Sequence, residues 1–245
     1  MDLISSQTCV LFEESDDEPS VLISEREGCY SSVGYRNDDR GITFSKTCDK
    51  SMTHELLHSL GITHTQKRTD RDENVVYSGD EDHNNDIAMN SSVVTPYEYG
   101  SVLHNRTSSN LYPVDPEFSY TMGNRILTFY DTLWSTCSIT AHVKKKKCEN
   151  DGYTNPSNCE ECICPDVFFG ALCDEFDDQE PGCRSGNLEI KYLPDRRMTN
   201  PFICSSDQNF DEIIYSTNDP TIVVFRSYEQ DFLLEFGILF RSVKN

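Results

Sequence analysis

His54-Glu55-Leu56-Leu57-His58-Ser59-Leu60-Gly61-Ile62-Thr63-His64 brings three imidazoles and one carboxylate together at the spacing of a hydrolytic zinc site. In a helix successive residues turn by about 100°, so His54 and His58 lie about 40° apart and point the same way. Met52, Leu56 and Leu60 repeat on the opposite side, which lets the helix bury one stripe while the other faces a metal. Glu55 falls about 60–100° from the histidine face, badly placed as a third ligand and well placed as a base for a water. Gly61 suits a left-handed residue that ends the helix and returns His64 toward the other two rings. Three neutral imidazoles leave one zinc position open.

That set predicts a single catalytic Zn2+ that acidifies a water and polarises a carbonyl, with Glu55 taking the proton and passing it to a leaving amine. A chance H-E-x-x-H occurs in ordinary amphipathic helices. Gly61 and His64 at their fixed offsets make the metal site the stronger reading.

Two further stretches follow in order: Arg68-Thr69-Asp70-Arg71-Asp72, and Tyr97-Glu98-Tyr99-Gly100-Ser101-Val102-Leu103-His104-Asn105. With H-E-x-x-H-x-x-G-x-x-H, which marks the metzincins, they resemble the astacin family's R-x-D-R-D and its Met-turn, Y-D-Y-x-S-V-M-H-Y, over about residues 9–137. The resemblance implies an α+β fold, a secreted zinc endopeptidase and protein substrates. It assigns His54, His58 and His64 as ligands and Glu55 as catalytic base. Leu103 stands where the family has the Met-turn methionine, a swap of similar volume expected to cost below about 1.5 kcal/mol. Asn105 stands at the family tyrosine that ligates zinc and then stabilises the tetrahedral intermediate. Thr65 replaces the glutamate that meets the new N-terminus after propeptide removal, so that latch is expected to be absent.

Residues 1–15 lack the basic start and apolar core of an export signal, and no run approaches the ~18 apolar residues of a membrane span. With 53 residues ahead of His54, the domain reads as N-terminally shortened, from an incomplete gene product or a degenerate family member. The 11 cysteines nevertheless point to an oxidising, extracellular compartment. Family resemblance implies pairs Cys9–Cys137 and Cys29–Cys48. Cys148, Cys159, Cys162, Cys164 and Cys173 resemble an EGF-like module, whose usual order implies Cys148–Cys162 and Cys164–Cys173. Cys159 is then left over, with Ala141 near its expected partner position. Structural zinc at Cys159-x-x-Cys162-x-Cys164 is the alternative, weakened by the lack of a second pair at finger spacing.

The expected organisation is therefore a peptidase domain over 1–137, an EGF-like module over 138–175, and a partial CUB-like β module over 183–245. Glu175–Pro181 reads as a linker, and Thr221–Phe225 and Phe232–Phe236 as tail strands. Within the first part, strands are expected at Val21–Ser24, Ser32–Tyr35 and Gly41–Phe44. By resemblance, Gly41–Phe44 is the edge on which a peptide substrate adds as a strand. Tyr120–Asn124 and Phe129–Asp131 are assigned to a C-terminal helix whose aromatics are core.

Forty-two acidic against 21 basic residues give a formal charge of −21, which repels nucleic acid and anionic membranes. Glu13–Glu18 and Asp80–Asp86 lack the ordered oxygens of a calcium loop and read as solvated. Lys144–Lys147 reads as an exposed linker. His83, His104 and His142 read as surface or packing residues. Sequons occur at Asn90 and Asn105; a glycan on Asn105 would sit in the cleft, so that one is expected unmodified.

The leading expectation is a secreted zinc endopeptidase. Its rivals are a non-cleaving decoy or adaptor that keeps the groove, and the inactive product of a damaged gene; retention of Glu55 favours the enzyme. Losing a hydroxyl that acts as an oxyanion donor slows turnover by roughly 10²–10³-fold. Asn105→Tyr is therefore expected to raise peptide turnover, and an unchanged rate defeats this explanation of the substitution.

Overall fold

Ile42-Thr43-Phe44 forms the strand against which the motif helix packs. The computed structural model describes residues 1–15, 17, 20–35, 41–45, 52–78, 87, 95–124, 126–134, 146–165, 168–176, 186–203, 214–218 and 221–227. β1 (Ile23–Glu25) and β2 (Ile42–Phe44) pair in parallel, with Ile23 opposite Ile42 and Glu25 opposite Phe44. A short N-terminal helix, α1 (Asp2–Gln7), contributes Ile4 to the same core. Ile4 and Ile42 pack with Leu56 and Leu57 of the motif helix α2 (Met52–Ser59) and with Val102 and Leu103. Leu57, not Leu60, completes the buried stripe of α2: the helix stops at Ser59, which leaves Leu60 38% exposed.

Two expectations fail upstream of α2. Ser32–Tyr35 is not a strand, because Gly34 takes φ 76° and its N–H bonds the His58 carbonyl at 2.8 Å instead of a ladder partner. The edge of β2 is also already partnered at its centre: Tyr30 and Thr43 exchange both backbone hydrogen bonds, at 3.1 and 2.9 Å. A peptide adding on that side meets Tyr30 before it meets Gly41–Phe44.

Downstream, β3 (Val75–Tyr77) and β4 (Leu111–Pro113) pair antiparallel over a second core of Val75, Tyr97, Tyr99, Leu111, Phe118 and Met122. Tyr99 stacks on Phe118 with ring centroids 4.2 Å apart. Beside them His104 is 3% exposed; its Nδ1–H donates to the Asn105 carbonyl (2.8 Å), and its Nε2 accepts the Tyr97 hydroxyl (2.8 Å). Burial lowers its pKa to about 4. The expected packing role is what the ring performs.

Tyr120–Asn124 is not part of the C-terminal helix. Pro116–Tyr120 makes a 3-10 turn and the chain then turns at Thr121–Gly123. The helix, α3, is described over Phe129–Trp134, where Phe129 and Tyr130 are buried with Ile163. Thr128 and Asp131 cap its start reciprocally: Thr128 N–H donates to Asp131 Oδ2 (3.0 Å) and Asp131 N–H to Thr128 Oγ1 (3.4 Å). Asp131 also accepts Ser101 Oγ–H (2.5 Å) and Val102 N–H (3.0 Å), which fixes α3 under the 97–105 turn. Burial pushes this carboxyl above the ordinary range, and the donated hydrogen bonds pull it back.

The cysteine-rich stretch is two small hairpins, β5 (Tyr153–Thr154) with β6 (Cys162–Ile163) and β7 (Phe168–Phe169) with β8 (Glu175–Phe176). Disulfides join Cys148 to Cys162 and Cys164 to Cys173, so neither Cys162 nor Cys164 is a zinc ligand; Cys159 is free and exposed. Glu175–Phe176, expected in a linker, is strand, because the chain reverses after the bridged Cys173 and pairs back on Phe168–Phe169. Cys9 and Cys29 are disulfide-bonded; their expected partners Cys137 and Cys48 lie outside the described residues, as do Lys144, Asn90, His83, His142, Asp80–Asp86 and Phe232–Phe236. In the tail, β9 (Gly186–Lys191) lies between β10 (Phe202–Ile203) and β11 (Ile222–Ser227), the last covering most of the expected Thr221–Phe225 strand. No described helix is long and apolar enough to cross a membrane.

Two of these contacts can be tested through stability. Asp131→Ala leaves the Val102 and Thr128 amides buried without their acceptor and is expected to cost about 3–5 kcal/mol in urea unfolding, with Asp131→Asn milder. For His104, the unfolded imidazole titrates near 6.5 and the folded one at about 4. Between those values the unfolded chain binds more protons, so stability is full above pH 6.5 and is lost as pH falls toward 4. With both proteins metal-free, wild type is expected to lose about 2–3 kcal/mol relative to His104→Gln between pH 7.5 and 4.5; parallel curves would contradict neutral burial.

Candidate metal centre

Gly61 ends α2 at φ 96° with two hydrogen bonds that fix the reversal: its own N–H to the His58 carbonyl (2.8 Å), and Ile62 N–H to the Leu57 carbonyl (3.1 Å). These are the paired bonds of a Schellman turn, sealed by Ile62 packing on the core that holds Leu57. The turn also aims the Ile62 carbonyl at His58, whose Nδ1–H donates to it at 2.7 Å. His54 Nδ1–H likewise donates to the Val102 carbonyl at 2.7 Å. A carbonyl only accepts, so each Nδ1 carries a proton, and in the neutral ring each Nε2 then presents a lone pair.

Those lone pairs converge. His58 Nε2 is 3.0 Å from both His54 Nε2 and His64 Nε2, and His54 Nε2 is 3.2 Å from His64 Nε2. Zinc–imidazole bonds of about 2.0–2.1 Å at tetrahedral angles put ligand nitrogens about 3.3 Å apart. The three rings therefore fit a zinc ion, and among the described residues they are the one group of His, Cys, Asp or Glu side chains so gathered. Carbonyl partners on ligand imidazoles are the expected outer support of such a site. Glu55, beside His54 on α2, is 1% exposed.

The 97–105 turn supports the site from below. Leu103 is 2% exposed and packs with Leu56 and Leu57, as a residue in the Met-turn position is expected to pack. Its carbonyl accepts Thr65 N–H (3.2 Å), next to His64, while Asn105 N–H donates to Gln66 Oε1 (3.1 Å). Thr65, whose side chain was expected only to mark a lost latch, tethers the third ligand to the turn through its backbone.

The Arg68–Asp72 motif is a clamp. Arg68 forks Asp70 at 2.9 and 2.7 Å and donates to Thr95 Oγ1, the Thr95 carbonyl and the Pro96 carbonyl. All five guanidinium hydrogens are used, which is how a 6% exposed charge is accommodated. Arg71 donates to the Gln66 carbonyl (3.2 Å) and lies over the Tyr77 ring. Sequence reasoning missed Gln66 and Asp131 as supports. Thr128-x-x-Asp131, a capping-box spacing, was the available signal for the second; Gln66 left none.

The profile of the Astacin peptidase family matches residues 1–134. Zinc metalloproteinase nas-20 of Caenorhabditis elegans is 29% identical over 287 residues, covering 90% of this chain and 75% of that protein. Zinc metalloproteinase nas-16 of the same organism is 33% identical over 277 residues, covering 85% and 61% respectively. Among solved structures, High choriolytic enzyme 1, a hatching enzyme zinc-protease from Oryzias latipes, aligns at TM-score 0.44 and 22% identity, over 54% of this chain and 74% of that one. The profile match spans more than half the chain and contains the three converging imidazoles, so this chain belongs to the astacin family of zinc metalloendopeptidases.

Proposed function

We propose that this chain cleaves peptide bonds in extracellular proteins, with His54, His58 and His64 holding one zinc ion and Glu55 as general base. The observation that carries the reading is the approach of the three Nε2 atoms to within 3.0–3.2 Å of one another, with the opposite nitrogens of His54 and His58 committed to donation. When bound, zinc supplies Lewis acidity, which lowers the pKa of a water and polarises the scissile carbonyl. Glu55 takes the proton lost by the attacking water and delivers it to the departing amine nitrogen, so no covalent enzyme intermediate is needed. Asn105 offers a shorter donor than a tyrosine to the developing oxyanion, which sets a reduced turnover. Its backbone is fixed by Gln66, and Leu103 keeps the support under the ligands packed.

Disulfides at Cys148–Cys162 and Cys164–Cys173 support export to an oxidising compartment. The reading divides the chain into a peptidase part over 1–137, an EGF-like module over 138–175, and a partial CUB-like tail over 183–245.

The test is cleavage of a quenched peptide library by zinc-loaded protein beside Glu55→Ala. Turnover is expected to fall by at least about 10³-fold in the variant with zinc still bound, and to vanish on chelation. Cleavage surviving in Glu55→Ala would overturn the assignment of the base, and silence of both zinc-bound proteins would overturn the peptidase reading.

A further inference from the structure

We propose that tail residues 192–202 are a positioning brace for the metal site: they dock on the underside of the 97–105 turn and hold the backbone carbonyls that orient the ligands. The proposal rests on the zinc site described above. It does not need the chain to cleave peptides.

The docking is extensive and polar. Thr199 N–H donates to Glu98 Oε2 (3.2 Å), while Glu98 Oε1 accepts Gly100 N–H (2.9 Å), so one buried carboxylate joins the tail to the turn. Phe202 N–H donates to Thr121 Oγ1 (3.1 Å). Tyr192 Oη–H donates to Glu117 (2.7 Å), and Tyr130 Oη–H to Asp195 (2.5 Å), whose carboxylate Arg197 also forks at 2.8 and 3.0 Å. Leu193 and Met198 pack on the second and third cores. Thr199 and Glu98 are 101 positions apart in the chain, yet their contact bears on the short stretch that leads from Gly100 directly into Val102 and Leu103.

Thr199 is packed so closely that a Cβ on Gly100 would stand 2.6 Å from its Oγ1 and 2.7 Å from its Cβ. Its hydroxyl is buried with no hydrogen-bond partner among the described residues, so the side chain serves as a spacer and not as a polar anchor. Val102 and Leu103 then present the carbonyls that accept His54 Nδ1–H and the amide beside His64. Two of the three ligands are thus held by a turn whose far side is covered by the tail. Direct hydrogen-bond partners of metal ligands typically change affinity or activity by about 10–100-fold when lost, and the tail acts one layer further out, on the chain that carries those carbonyls.

The test uses full-length chains carrying Gly100→Ala, Gly100→Ala with Thr199→Gly, and Asp195→Ala. Zinc affinity is read by chelator competition, and ligand geometry by the visible spectrum of the cobalt-substituted protein. Gly100→Ala drives a methyl into Thr199, and Asp195→Ala removes the acceptor of Tyr130 and Arg197. Each is expected to weaken zinc binding about tenfold or more and to shift the cobalt bands. Adding Thr199→Gly opens the space again and is expected to return both readouts to near wild type, a rescue that a defect local to the turn would not show. Zinc affinity and cobalt bands unchanged in Asp195→Ala, or no recovery in the double variant, would overturn the brace. Failure of wild type itself to bind zinc would instead overturn the metal site on which the proposal rests.

Discussion

The hydrogen bond from His54 Nδ1 to the Val102 carbonyl joins two stretches 48 residues apart and fixes the tautomer of the first ligand. Its counterpart from His58 to the Ile62 carbonyl does the same for the second. Both acceptors are backbone atoms, so the chemistry of the rings depends on where the chain runs and not on the identity of a neighbouring side chain. Much of the remaining architecture serves to hold those two carbonyls: the Gly61 turn places Ile62, while Asp131, Ser101 and the packed Leu103 place Val102.

This dependence accounts for what the substitutions in the turn do and do not change. Leucine at 103 keeps a buried apolar group under the ligands, and the backbone carbonyl it carries still receives Thr65 N–H. Thr65 and Asn105 depart from the family pattern in their side chains, yet both are held through their backbone N–H groups. The ligand cage therefore tolerates these changes.

The metal site was legible in the sequence because its signals are local. His54, His58 and Gly61 follow from helical periodicity and a left-handed stop, and His64 needs only the reversal that Gly61 provides. What was missed is non-local. Ser32–Tyr35 carries strand-forming residues, but Gly34 bonds the end of α2 instead of a neighbouring strand, a competition that composition does not reveal. The apparent free edge at Gly41–Phe44 is partnered by Tyr30, whose bridge depends on the path of residues 26–30. Asp131 and Gln66 look like ordinary polar residues along the chain, since their partners lie 29 and 39 positions away. The contact between Thr199 and Glu98, 101 positions apart, is out of reach of any pattern along the chain.

His54 and His58, oriented by backbone carbonyls, make with His64 a cage for one zinc ion, and zinc X-ray absorption on the purified full-length protein probes that cage most directly. A first shell of three imidazole nitrogens at about 2.0–2.1 Å with an additional light-atom ligand is the predicted result. A sulfur shell at about 2.3 Å, or fewer than three imidazoles, would contradict it.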